Sequence, residues 1–291
     1  MGAGLGSGAG RSGWTRFPQP IRKKRGSHNV VPGNEDVRRT SLASPASSSA
    51  LLGVGRARGT APQVDVETWN AKLETTGVDT GRIADLLAPF LQSPPGSPAP
   101  LADAQVEQVS AYLDLLLRWN ARINLTAVRD PEGMVTRHFG ESFFAARQLV
   151  TAGASVRAID LGSGAGFPGL PLKIFAPAIR LTLVESSQKK AAFLKEVVRA
   201  IALTDVDVFA GRAEDFPATA NLVTLRAVER YGRALGAAAR LVEPGGRLAL
   251  LIGSMQATRT PQLLPAFVWP APIAIPQSSS RVLLIGTNLP G

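Results

Sequence analysis

Residues 156–169 read V-R-A-I-D-L-G-S-G-A-G-F-P-G, an apolar strand that runs directly into an acid and four closely spaced glycines. Ala158, Ile159 and Leu161 are typical of a strand that is buried on both faces. Glycines at positions 162, 164 and 166 let the backbone turn sharply and approach a ligand where a Cβ atom would collide. The stretch therefore predicts a nucleotide-cofactor pocket at the end of a buried strand.

The glycine spacing fits two classes of cofactor. Gly164, Gly166 and Gly169 match the G-x-G-x-x-G pattern of dinucleotide-binding proteins, in which a pyrophosphate lies at a helix N-terminus. Gly162, Gly164 and Gly166, with Asp160 two residues ahead, fit instead the loop around the amino-acid part of S-adenosylmethionine. The spacing alone does not choose between the two cofactors.

A second acid follows the next apolar run. Residues 179–184 predict a strand, and Glu185 comes directly after it. An acid at this place accepts hydrogen bonds from ribose hydroxyls in either cofactor class. The alternative is a solvated acid at a strand end. Glu185 thus supports a nucleoside ligand without identifying the cofactor.

Strands and helices alternate through the rest of the chain, which predicts an α/β fold with a mostly parallel sheet covered by helices on both faces. Further strands are expected at 206–209, 221–225, 247–252 and 282–285, and helices at 187–202 and 231–241. We expect the ligand at the carboxyl ends of the strands. Residues 151–291 form the predicted cofactor-binding domain.

A helical segment, residues 63–150, precedes that domain. Apolar periodicity predicts helices at 66–91 and 101–119, with Asp103 as a cap of the second, and Pro-rich residues 93–98 between them. Asp130 and Pro131 are expected to begin another helix, which carries Arg137, His138 and Glu141.

Basic residues are concentrated at the N-terminus. The chain has a net charge of +10, and residues 1–61 contain ten Arg and Lys against two acids. This Gly-, Ser- and Arg-rich composition, without periodicity, predicts a disordered tail over residues 1–62. Three interpretations stay open: leader sequence that is not part of the native protein, a basic arm that adds salt-sensitive RNA affinity, and a transit peptide.

The composition excludes several kinds of chemistry. The chain has no cysteine, which rules out disulfides, thiolate metal sites and a cysteine nucleophile, and which fits the cytoplasm. With two histidines, a histidine-built metal centre is not expected. Because no run approaches the roughly 18 apolar residues of a transmembrane helix, no membrane span is expected either.

Several motifs resemble the bacterial small-subunit ribosomal RNA methyltransferase G family, also called GidB. They are Trp119-Asn-x-x-x-Asn-Leu-Thr126, Arg129-Asp-Pro131, Arg137-His138, Asp160-Leu-Gly-Ser-Gly-Ala-Gly-Phe-Pro-Gly169, Lys189 through Phe193-Leu194, and Arg212-Ala-Glu-Asp-Phe216. The similarity extends over residues 66–289. It implies a Rossmann-like fold and a monomeric enzyme that methylates N7 of a guanine in 16S rRNA of the small ribosomal subunit, with S-adenosyl-L-methionine as donor.

The resemblance also implies roles for single residues. Cofactor contacts are expected from Asp160, Gly162, Gly164, Gly166, Phe167, Glu185, Ala213, Glu214 and Arg226. Arg226 stands where the family has a basic residue beside cofactor and substrate, and His138 is a candidate catalytic residue. Structural alternatives are core packing for Phe167, a helix-start acid for Glu214 and a solvated side chain for Arg226.

The chain departs from the family pattern near the expected substrate side. Leu225 and Val228 replace the serine and the aromatic residue that usually flank the Arg-Ala pair, and Ile252 replaces a lysine. The lost aromatic is expected to weaken base stacking, an interaction of about 1 to 3 kcal/mol. Two alternative functions stay open. One is a family member that binds cofactor or rRNA without robust methylation, and the other is an NAD-dependent oxidoreductase.

Overall fold

The computed structural model describes residues 78–92, 101–150, 155–226 and 231–289. The predicted tail 1–62, the start of the helix predicted at 66–91, the Pro-rich residues 93–98 and Val228 lie outside the described residues.

Two helices open the described part of the chain, α1 (Thr80–Leu91) and α2 (Asp103–Asn120). The Asp79 side chain caps α1 by accepting a hydrogen bond from Arg82 N at 2.8 Å. The prediction that Asp103 caps α2 was wrong by one residue. Ala102 is the cap, because its N–H is bonded by the Gln105 side chain at 2.9 Å and Asp103 is already helical.

A third helical stretch contains a wide turn. It consists of α3 (Pro131–Met134), a π-helical turn (Val135–Gly140) and α4 (Glu141–Leu149). Its predicted start is confirmed, since the Asp130 carboxylate accepts a hydrogen bond from Gly133 N at 2.6 Å. The π turn was not predicted. Such turns interrupt the regular pairing of backbone carbonyls and occur frequently at functional sites.

Gly140 ends the π turn against an aromatic ring. A Cβ atom at this position would lie 2.6 Å from ring carbons of Phe90 on α1. We expect Gly140→Ala to lower the free energy of unfolding by about 2 kcal/mol, because the ring is buried and cannot move freely. Urea denaturation checks this value. If helix propensity alone decided the outcome, alanine would stabilise the protein by up to about 1 kcal/mol.

Within the described residues, eight strands form one sheet: β1 (Arg157–Leu161), β2 (Arg180–Glu185), β3 (Val206–Ala210), β4 (Ala220–Arg226), β5 (Val242–Gly253), β6 (Phe267–Val268), β7 (Ile273–Ala274) and β8 (Arg281–Asn288). The order is β3-β2-β1-β4-β5-β8-β6, and β7 pairs with β8. Strands β1 to β5 are parallel, while β8 is antiparallel to β5. The chain leaves β1 on one side and returns to β4 on the other, which creates a crevice at their carboxyl ends.

Helices α5 (Gly169–Phe175), α6 (Gln188–Ala200), α7 (Tyr231–Arg240) and α8 (Ser254–Leu263) complete the fold. Alternate strand residues enter two separate cores: Leu222 packs with α1, α2 and α4, whereas Val223 and Leu225 pack with α7. The predicted α/β architecture with helices on both faces is therefore confirmed. The helical segment before the sheet covers one face of it.

Candidate functional site

A cleft of about 660 Å³ lies at the carboxyl ends of the strands, on the face covered by α7. Gly162 from the glycine loop lines it together with Ala213 and Glu214, which begin a short 3-10 turn (Ala213–Asp215). Glu214 forms an exposed ion pair with Arg233 at 3.1 Å. The volume suits a nucleoside-sized ligand, so three predicted cofactor residues share one suitable cavity.

The glycine loop follows β1 with the backbone that its composition predicts. Gly162, Gly164 and Gly166 have φ angles of +67°, +56° and +92°, a backbone region that residues other than glycine rarely adopt. The N–H of Gly162 donates to the carbonyl of Val184 at 2.8 Å, which holds the loop close to β2.

Glu185, at the end of β2, is buried and bonded to the loop. Its carboxylate accepts hydrogen bonds from Gly164 N at 2.9 Å and from Ser187 N at 2.7 Å. The side chain is therefore not a solvated acid at a strand end. Each carboxylate oxygen keeps a second lone pair, which leaves capacity to accept a bond from a ligand hydroxyl.

Asp160 is a buried carboxylate with one satisfied oxygen. Its Oδ1 accepts a hydrogen bond from Thr224 Oγ1 at 2.6 Å, while Oδ2 has no hydrogen-bond partner among the described residues. Burial raises the pKa of Asp160 to about 6, so the group is mainly ionised at neutral pH. An ionised, half-satisfied carboxylate fits a cationic ligand group such as an ammonium.

Phe167 joins the glycine loop to the preceding helical segment. Its ring stacks on Tyr112 at a centroid distance of 5.4 Å and on His138 at 5.0 Å. Tyr112 also donates a hydrogen bond to the Ala165 carbonyl of the loop. Phe167 is buried, and these contacts make it a packing residue at the site.

His138 belongs to the π turn and is neutral. Burial, followed by the charge of Arg226, lowers its pKa from 6.5 to about 3. Arg226 Nη2 lies 3.2 Å from Nδ1, and since a guanidinium only donates, Nδ1 carries no proton. Nε2 then donates to Thr126 Oγ1 at 2.6 Å. Both ring nitrogens are occupied by protein partners.

We expect His138 to remain unprotonated between pH 5 and pH 8, because burial and the neighbouring arginines oppose its charge. Imidazole ¹⁵N shifts of histidine-labelled protein measure this directly, since the chain has two histidines. The His138→Gln protein identifies the signal by its loss. A His138 signal that titrates near pH 6.5 would contradict the arrangement.

Arg226 ends β4 and is held by the π turn. Its Nη2 donates to the carbonyl of Arg137 at 2.6 Å and to Glu141 Oε2 at 3.1 Å. The guanidinium carbon lies 5.9 Å from the centre of the Phe167 ring. Arg226 is therefore not a solvated strand-end side chain. It joins Asp160, Phe167 and His138 in a cluster on the face opposite α7.

Sequence reasoning missed the partners within this cluster. Thr224 lies beside Asp160 in the pairing of β1 with β4 and bonds to it. Glu141 is buried between Arg226 and Arg281. Alternation along β4 provides one signal, because Thr224 and Arg226 share a strand face with Leu222.

Two departures from the family pattern, Leu225 and Ile252, occupy apolar positions. Leu225 lines the cleft and Ile252 is buried in the core beneath α7. Ile252, which stands where the family has a lysine, faces the protein interior. The described residues contain no group of three or more acids and histidines that would hold a metal ion, and no helix among them is long and apolar enough to cross a membrane.

Comparisons with known proteins identify the family of the chain. The family model described as rRNA small subunit methyltransferase G matches residues 105–264. A protein of Chloroflexus aggregans named Ribosomal RNA small subunit methyltransferase G is 44% identical over 155 residues, which are 51% of this chain and 64% of that protein. A protein of Xylella fastidiosa with the same name is 41% identical over 179 residues, which are 60% of this chain and 82% of that protein.

Proposed function

Because this chain belongs to the rRNA small subunit methyltransferase G family, we propose that it transfers the methyl group of S-adenosylmethionine to N7 of a guanine in 16S rRNA. The observation that carries the proposal is that the matched residues, 105–264, contain both the cleft and the Arg226 cluster. The chain matches 64% of the length of the Chloroflexus relative, so substrate and partner are part of the proposal.

The site's residues fit the cofactor in two places. Gly162, Ala213 and Glu214 would hold the adenosine part in the cleft. Glu185, bonded to Gly164 of the loop, would accept from the ribose. The unsatisfied oxygen of Asp160 fits the ammonium of the methionine part, and it would repel the pyrophosphate of a dinucleotide. This charge supports S-adenosylmethionine over NAD. When bound, the cofactor supplies a methyl group activated by a positive sulfur.

The reaction places modest demands on the protein. Guanine N7 carries a free lone pair, which forms the new bond to the methyl carbon while the carbon–sulfur bond breaks and its electrons go to sulfur. No proton is removed, so alignment and electrostatics suffice. His138, neutral and bonded at both nitrogens, suits a role in holding the site rather than in proton transfer.

Arg226 is the candidate binding cation of the cluster. The methylated base is positively charged, so a guanidinium does not stabilise that developing charge. A negative partner fits better, and the cofactor carboxylate and a phosphate of the RNA both qualify. Burial strengthens such a contact because water does not screen it.

Several wider assignments remain predictions. We place the protein in the cytoplasm with its ribosomal substrate and expect a monomer. We divide the chain into a basic tail (1–62), a helical segment (63–150) and a cofactor-binding domain (151–291). A shortened protein that begins at Val64, compared with the full chain, tests whether the tail adds salt-dependent RNA affinity.

Labelled methyl transfer tests the function. Small subunits from cells that lack the modification are incubated with the protein and S-adenosylmethionine labelled in the methyl group. We expect the label in 16S rRNA and none in large-subunit rRNA. Cofactor binding without transfer would favour the member that lacks robust methylation, and thermal stabilisation by NAD alone would favour the oxidoreductase.

Glu214→Ala tests the cofactor position in the cleft. Loss of this side chain removes a wall of the cavity together with its ion pair to Arg233. We expect the dissociation constant for S-adenosylmethionine to rise by roughly tenfold, as for the loss of about 1.4 kcal/mol. Isothermal titration calorimetry measures it. Glu107→Ala removes an acid from the exposed face of α2 and is the control. Unchanged affinity in Glu214→Ala would reject the assignment.

A further inference from the structure

One buried carboxylate joins three elements beside the proposed site. Glu141, the first residue of α4, has a side chain that is 2% exposed. Its Oε2 accepts from Arg226 on β4 at 3.1 Å, and its Oε1 accepts from Arg281 Nε on β8 at 2.6 Å. Neither the proposed cofactor contacts nor the reaction itself uses this acid.

Charge around the carboxylate is strongly unbalanced. Arg137, Arg226 and Arg281 all lower the pKa of His138, which places three cations near this imidazole, and Glu141 is the acid that pairs with two of them. Two guanidinium groups that share one carboxylate attract it from opposite oxygens. Without the negative charge, Arg226 and Arg281 would repel each other and separate.

The position of Arg226 depends on this balance. Its other contacts are the carbonyls of Arg137 and His138 in the π turn and Nδ1 of His138, all of which are neutral acceptors. Among the described residues, the Glu141 carboxylate is the charged acceptor that bonds to this guanidinium. Hydrogen bonds to a charged group are roughly twice as strong as those to neutral groups. Glu141 therefore dominates the orientation of Arg226 toward Phe167 and His138.

We propose that Glu141 is a positioning residue for Arg226: its buried carboxylate, anchored by Arg281, holds the guanidinium where it meets the negative group of the cofactor or RNA. The proposal rests on the proposed function in one respect, the role of Arg226 as the binding cation. Arg281 serves as the anchor of the carboxylate and has no assigned contact with either substrate.

Separating positioning from stability requires a charge-balanced variant. Glu141→Gln alone leaves the largely buried Arg226 and the partly exposed Arg281 side by side without a counter-charge and is expected to unfold more easily. The double variant Glu141→Gln, Arg281→Gln removes one negative and one positive charge, so the net charge is kept. We expect it to recover most of the melting temperature that the single variant loses. Glu107→Gln makes the same change on the exposed face of α2 and is the control.

The rate of methyl transfer then tests whether Glu141 positions Arg226. In the double variant we expect kcat/KM to fall by roughly 10- to 100-fold, the range found when a reacting group is misplaced by about 1 Å. Wild-type activity in this folded double variant would overturn the proposal, because a counter-charge needed only for stability is no longer required there.

A spectroscopic measurement keeps the test independent of methyl transfer. In the wild type, the Nδ1 of His138 accepts from Arg226, which selects the Nε2–H tautomer. When Arg226 moves, Nδ1 loses that donor, and we expect its ¹⁵N resonance to shift in the double variant and to stay in place in Glu107→Gln. An unshifted resonance overturns the proposal even if transfer falls. A shifted resonance in a protein that methylates no rRNA supports the positioning and rejects the proposed function alone.

Discussion

Gly166→Ala is expected to lower the free energy of unfolding by about 3 kcal/mol, the combined cost of a forced positive φ and of overpacking. Gly166 has a φ of +92°, and an added Cβ would lie 2.5 Å from Leu170 Cδ1 and against the Tyr112 hydroxyl. Movement of Tyr112 would also disturb its stacking on Phe167. We therefore expect cofactor affinity to fall together with stability.

Urea denaturation and calorimetric titration of S-adenosylmethionine measure the two effects. Gly236→Ala is the matched control, because this glycine lies on the exposed side of α7 with no atom within 4 Å of an added Cβ. Helix propensity predicts that the control gains up to about 1 kcal/mol. Equal stability of the Gly166→Ala protein and the wild type would show that the loop is not packed as described.

Asp160→Asn is expected to stabilise the ligand-free protein above pH 6 and to weaken cofactor binding by roughly 10- to 100-fold, the value of about 1.5 to 3 kcal/mol for a charged hydrogen bond. Burial raises the pKa of Asp160 from 3.8 to about 6, which disfavours its ionised form in the folded state. Below pH 3.8 this carboxyl is protonated in both the folded and the unfolded protein and costs no stability. As the pH rises from 3.8 through 6, the free energy of unfolding falls by about 3 kcal/mol, because the unfolded protein ionises first.

Asparagine removes this pH dependence because it stays neutral, while its amide oxygen still accepts the bond from Thr224. Unfolding at pH 5 and pH 8 checks stability, and titration calorimetry at the same values checks affinity. For the wild type we expect affinity to increase with pH, since ionised Asp160 pairs with the ammonium. Asp207→Asn, on the exposed side of β3, should keep the wild-type pH profile. If Asp160→Asn also kept the wild-type pH dependence of affinity, the pairing of the Asp160 carboxylate with the cofactor ammonium would be rejected.

Much of the fold is predictable because local patterns and tertiary structure agree. Apolar runs at 179–184 and 282–285 indicate β2 and β8. Glu185, predicted to follow the first run, is the last residue of β2 and bonds to the glycine loop. Helix α8 was not predicted, since Ala257 and Thr260 are its buried residues and Pro261 lies inside it. The π turn was missed because no residue type marks one.

The candidate site is only partly predictable, for a physical reason. Glycines and terminal acids act through the local backbone, so their positions follow from sequence spacing. Glu141 meets Arg226 and Arg281 across 85 and 140 residues of chain, and their pairing depends on how α4 packs on the sheet. The neutral state of His138 likewise arises from burial and neighbouring charges that only the folded structure brings together.

The activity proposed for this protein is methylation of a guanine at N7 in 16S rRNA. The most direct measurement is chemical cleavage of that RNA at 7-methylguanine, after small subunits that lack the modification have been incubated with the protein and S-adenosylmethionine. We predict cleavage at one guanine, dependent on both protein and cofactor. Methyl transfer to RNA without any such cleavage would show that another atom is the target and would contradict the proposed N7 activity.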